Sequence, residues 1–172
     1  MRSMSESADG QLELTRIYRR RVELRAGEEL VGTLERQSWW RQDVLLIAAD
    51  GRWMLRRAGW WSRDAVLTTA GAGEREVGRY RARWRGDGTL TLAGGRELQL
   101  TRPRGWRASR ALCEGSTELV GLRPHGIKGH VTVTVGPSAR TEPLLSLLVL
   151  FACQVLVSDQ AAASSGGAVT SG

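Results

Sequence analysis

Five arginines recur where the apolar segments of this chain run out: Arg36, Arg57, Arg79, Arg102 and Arg123. Guanidinium groups gathered in one place bind phosphate or carboxylate oxygens through paired, charge-assisted hydrogen bonds. Behind them runs a second unit: "WRQD" from Trp40 to Asp43, "WSRD" from Trp61 to Asp64, "WRGD" from Trp84 to Asp87 and "WRAS" from Trp106 to Ser109, in steps of 21, 23 and 22 residues. A Trp-x-x-Asp unit at a fixed period is first of all a folding device inherited by duplication. Its aspartates can accept backbone N–H bonds in a connection, and its tryptophans can plug a core or lie over arginine stems. Set on one rim, the same residues would make an arginine-rich mouth that draws anions.

Little else in the chain offers catalytic chemistry. His125, His130, Cys113 and Cys153 have no metal-ligand spacing, so no metal is expected. Asp43, Asp64 and Asp87 share one local frame and do not read as a converging acid and base. No glycine-rich phosphate loop opens a helix and no nucleophile elbow is present. A cofactor-free, non-enzymatic protein is the expectation.

The elements that would carry the arginines follow from the turns. "AGEE" at Gly27, "DG" at Gly51, "GAG" at Gly71 to Gly73, "GG" at Gly94 to Gly95, "EG" at Gly115 and "GP" at Gly136 keep the same beat as the Trp-x-x-Asp units. Between them lie short, mostly alternating or β-branched segments such as "ELVGTLE", "RWMLRR", "TLTLAG" and "HVTVTVG", the mark of strands with one wet face. Eleven such segments can be picked out, and six turns imply six hairpins and about twelve strands. "GRYRARWR" sets Arg79, Arg81, Arg83 and Arg85 on one strand face, which suits a solvated surface or a phosphate track.

"PLLSLLVLFACQVLV", Pro143 to Val157, lies in a 16-residue uncharged run between Glu142 and Asp159 and is apolar on every side. At 1.5 Å per residue that run spans about 24 Å, short of the ~30 Å hydrocarbon core, so a buried helix is favoured over a membrane anchor. A twelve-stranded barrel leaves a lumen that side chains alone do not fill, and this helix is the filler. Inward residues such as Leu45, Leu67, Leu90, Leu100 and Val133 are expected to pack around it. The fold expected is therefore mainly β: a closed antiparallel barrel of about 12 strands with a hydrophobic C-terminal helix through the lumen. Residues 1–10 and 159–172 read as loose tails around one domain, 11–158, with the helix at 142–158. The opening "MRSMSESADG" has no apolar core of a signal peptide.

A barrel of this kind with "PLLSLLVLFACQVLV" threaded through it resembles the tubby-like fold, shared by tubby C-terminal domains, plant LURP-one-related proteins and phospholipid scramblases. The resemblance covers roughly residues 11–158 and rests on architecture and that helix. It implies binding of phosphoinositide headgroups, as in tubby domains, or action on phospholipids, as in scramblases. The calcium-binding and cysteine-rich features of scramblases are missing here.

A net charge of +7, with one lysine among 25 basic residues and no asparagine, points to an acidic partner or to a GC-rich coding sequence. Without an RNA-binding, zinc-finger or helix-turn-helix pattern, nucleic acid is not the expected partner. Two cysteines suit a reducing compartment. The expectation is thus a cytoplasmic monomer, peripheral at membranes, whose arginine and tryptophan mouth binds anionic lipid headgroups or phosphorylated ligands. The alternatives are a structural or protein-interaction barrel of unknown partner, and a membrane-anchored scramblase-like protein.

Overall fold

The computed structural model describes residues 4, 12–18, 20–37, 43–59, 62–83, 87–103, 109–125 and 130–165. Twelve strands run in chain order: β1 (Leu12–Tyr18), β2 (Arg21–Ala26), β3 (Glu29–Arg36), β4 (Val44–Ala48), β5 (Gly51–Arg57), β6 (Ala65–Thr69), β7 (Glu76–Ala82), β8 (Gly88–Leu92), β9 (Glu97–Thr101), β10 (Arg110–Glu114), β11 (Thr117–His125) and β12 (His130–Val135). Each pairs antiparallel with its neighbours in sequence, and β1 pairs with β12, so the sheet closes on itself and leaves no edge. A helix, α1 (Leu145–Ser165), follows.

The glycine-bearing hairpin turns collect at one end of the barrel, and the β3–β4, β5–β6, β7–β8 and β9–β10 connections at the other. Gly94 and Gly115 take φ of 100° and 56° in two of the tight turns, a region that costs a side chain with a Cβ. Gly51 opens β5 without a positive φ, and Gly136 has a φ of −64°; there the chain leaves β12 for a 3-10 turn at Pro137–Ala139. The tight-turn end therefore holds five hairpins, and closure of β12 on β1 supplies the sixth pairing.

The helix lies in the lumen. It touches β4 and β10, which stand on opposite walls of a twelve-membered ring, and also β3, β5 and β11. Leu147 through Cys153 are all 0% exposed, which an apolar stretch without a polar face requires. Gly32 on β3 makes the approach possible, because a Cβ there would stand 2.8 Å from Leu150 Cδ2.

Four expectations need correction. The helix runs over Leu145–Ser165, 21 residues, rather than 142–158, since Asp159 does not end it and the alanines at 161–163 continue it. It is thus long and apolar enough to cross a membrane, and what separates it from an anchor is the burial of Leu145 to Gln154, not its length. Residues 159–165, expected as tail, are helical, and Met4, expected in a loose tail, is buried in the core. Leu67, Leu90, Leu100 and Val133 face inward at 0% exposure, but Leu45 does not: Leu46 is the inward residue of β4.

Candidate functional site

Strand parity decides which arginines reach the mouth. Arg36 pairs with the buried Val44 and Arg57 with the buried Ala65, so both stand on the inward rows of β3 and β5 at the end carrying the long connections. The neighbouring Arg56 points outward and takes Glu74 through two bonds of 2.7 Å. Arg57, one residue on, makes no ion pair among the described residues. Two like charges act on it, Arg63 from the β5–β6 connection and Arg36. Partial burial first, then these two like charges, push the Arg57 guanidinium below its ordinary range. It stays protonated at neutral pH all the same.

These three arginines border a cavity of about 330 Å³ between the barrel wall and the C-terminal half of α1. Its deeper wall is Leu55, Ala65, Tyr80, Phe151 and Val155, and the helix adds Gln154, Ser158 and Asp159. The Tyr80 ring stands edge-on to Phe151 at 5.2 Å between centroids. Tyr80 fits because residue 88 is glycine; a Cβ there would collide with the ring and its hydroxyl. That hydroxyl has no hydrogen-bond partner among the described residues, and burial, helped by Asp159, pushes it up to about 12.

A buried ion pair fastens the helix beside the cavity. Arg110 points inward from β10, its side chain 3% exposed, and donates to Asp159 Oδ2 at 2.5 Å and to the Ser109 carbonyl at 3.1 Å. Neither Arg110, Arg63 nor Asp159 stood out in the sequence. Arg110 lies in the one strand not picked out there, and its partner is 49 residues away.

The other expected arginines lie elsewhere. Arg79 is on the outer face of β7, bound to Glu76 at 2.6 and 2.9 Å. Arg123 is on the outer face of β11, across from Thr132, and Arg102 is exposed just past β9. β9 and β11 stand opposite β3 and β5. The five arginines therefore do not form a ring; two of them join Arg63 in a one-sided cluster.

The aspartates act in the connections. Asp43, Asp64 and Asp87 each accept, through the backbone carbonyl, an N–H from Gln37, Ala58 and Arg83 at 2.9, 2.9 and 2.6 Å, closing three loops alike. Asp64 Oδ1 also accepts the Ala82 N–H at 2.9 Å and so ties its loop to β7. Ser109, at the fourth position, is buried. Trp40, Trp61, Trp84 and Trp106 lie outside the described residues.

The start of the helix, just after Thr141 to Pro143, lies at the end of the barrel away from the arginine cluster. β12 runs away from the mouth, so the helix that follows starts among the tight turns. There Glu142 holds Arg96 of the β8–β9 turn at 2.6 Å, and Arg96 also grips Glu114 at 2.7 and 2.8 Å. It is the C-terminal, partially negative half of α1 that approaches Arg36, Arg57 and Arg63.

The chain matches no family model, and no curated protein or solved structure matches it.

Proposed function

We propose that this chain is a non-enzymatic binding module of the tubby-like kind, and that its mouth takes the phosphate group of an anionic ligand. Arg36, Arg57 and Arg63 share one cavity with no carboxylate paired to any of them among the described residues, and that observation carries the reading. Like charges held together in this way repel one another, and a bound phosphate relieves the repulsion while accepting their bonds. The phosphate has two sources, a lipid headgroup at a cytoplasmic membrane surface or a soluble phosphate ester, and the chemistry at the arginines is the same for both.

A structural or protein-interaction role is supported by a different observation, the three aspartates that close equivalent loops. Those three bonds use backbone carbonyls and so account for the like shape of the loops, while among the described residues only Asp64 adds a side-chain bond, to the Ala82 N–H. They do not account for three arginines on one cavity whose single lining carboxylate among the described residues, Asp159, is paired with Arg110 instead.

Co-sedimentation with neutral vesicles, with vesicles containing acidic phospholipid, and titration with glycerol phosphate separate the cases. Binding to acidic vesicles alone assigns a membrane surface; binding to glycerol phosphate as well assigns the phosphate group itself. Either should weaken as salt rises from roughly 0.1 M, where the Debye length is about 10 Å, toward 1 M. Replacing Arg36 and Arg57 together by Gln should weaken binding at least tenfold, while Arg79→Gln on the outer wall leaves it unchanged. Equal loss in both variants, or no binding by the parent protein, refutes the reading.

A further inference from the structure

The mouth cavity is lined for more than a bare anion. Behind the guanidinium groups its wall is hydrocarbon: Leu55, Ala65, Phe151 and Val155. The polar groups that the helix adds are already engaged, Gln154 donating to Ser158 Oγ at 2.9 Å and Asp159 accepting from Arg110. A volume of about 330 Å³ holds roughly eleven groups at ~30 Å³ each, and a phosphate fills less than half of that. The rest, if filled by water, would set water against apolar walls with few partners. Sites of this size that bind small molecules combine such walls with a few converging polar groups.

We propose that the cavity is the site of a single-chain organophosphate, its phosphate between Arg36, Arg57 and Arg63 and the first carbons of its chain against Leu55, Phe151 and Val155. This rests on the mouth being a phosphate site and names the class of phosphate it prefers. The Tyr80 hydroxyl, 4% exposed as a residue and without a partner among the described residues, stands in the same wall. It keeps its proton at neutral pH and so has a donor to offer an ester or ether oxygen.

Isothermal titration of the full chain with inorganic phosphate and with hexyl phosphate tests this, since a six-carbon chain stays monomeric in solution. Hexyl phosphate should bind at least tenfold more tightly, with a more negative heat-capacity change from the buried chain. Ala161 is an exposed helix residue that borders the cavity, so Ala161→Leu fills part of it without disturbing the core. That change should cut the ratio of the two affinities at least fivefold, with the circular dichroism spectrum unaltered. Equal affinities in the parent protein overturn the chain site and leave the phosphate site standing, as does a ratio untouched by Ala161→Leu. Binding of neither probe removes the phosphate site and this inference with it.

Discussion

Removing the carboxylate of Asp159 is the sharpest test of how the helix is held. Arg110 sits on an inward row of β10 with its side chain 3% exposed, and apart from Asp159 its guanidinium reaches only the Ser109 carbonyl, leaving Nε without a partner among the described residues. Asp159→Ala therefore strands a buried cation. Breaking a buried pair in this way costs about 3–5 kcal/mol. The Asp159 side chain keeps 22% exposure, so water can enter once it is gone and the lower end, about 3 kcal/mol, applies. For a chain of this size that is a fall of roughly 6–12 °C in Tm. The double variant Arg110→Met with Asp159→Ala removes both charges and leaves apolar volume in an apolar lumen, so it should return to within about 1 kcal/mol of the parent. Urea unfolding followed by tryptophan fluorescence gives the four corners of the cycle, with a coupling of at least about 2 kcal/mol expected. Additive single losses, or a cost for Asp159→Ala under about 0.5 kcal/mol, the size of an ordinary surface change, would refute the reasoning.

Gly32→Val should cost about 1–3 kcal/mol by urea unfolding, because its Cβ would press on Leu150 Cδ2 at 2.8 Å and the Ile47 carbonyl at 3.2 Å; an unchanged midpoint refutes the close approach of helix to β3. Burial holds both Cys153 and Tyr80 up to about 12, above ordinary values of 9.0 and 10.0. The unfolded chain gives up these protons first, so stability should be full below pH 9 and fall toward pH 12, by up to ~1.4 kcal/mol per pH unit for each group. Urea midpoints between pH 8 and 11 check this, and Cys153→Ala should flatten the first part of the fall. Arg96→Met releases Glu142, whose side chain is only 10% exposed, and should lower the midpoint, whereas Arg79→Met on the outer wall should not; equal effects would mean that the Arg96 clamp does not hold the start of the helix.

The parts of the barrel legible in the sequence are those where one local rule acts alone. Glycines at a regular beat mark turns because positive φ is costly for other residues, and "TLTLAG" alternates because one face of β8 is wet. Legibility fails where two rules collide. "RALCE" escaped notice as a strand because Arg110 occupies an inward position, and an inward charge is sensible only once Asp159, 49 residues on, is known to meet it. "DVLLIAA" reveals a strand but not its register, since both faces of β4 are apolar, and Leu45 was put inside in place of Leu46. The helix was ended at its first charge, although Asp159 is the residue that anchors it and the alanines beyond propagate it.

The same parity explains why Arg79 and Arg123 are missing from the arginine cluster, while Arg102 is missing because β9 stands across the barrel from β3. Position at a strand end brings a residue near the rim, but only the inward row of each strand looks into the mouth, and a shift of one residue reverses the row. Arg36 and Arg57 satisfy both conditions; Arg79 lies mid-strand on the outer row, and Arg123 is near an end but also on the outer row. The contrast within "RR" at 56 and 57 is the plainest case. Arg56, outside, has room and water and takes Glu74, a pair that salt weakens. Arg57, inside, meets Arg36 and Arg63 against an apolar wall where no carboxylate among the described residues pairs with it. A charge in that position is repelled by its two neighbours, and the proposed anion at the mouth is the group that would relieve the repulsion.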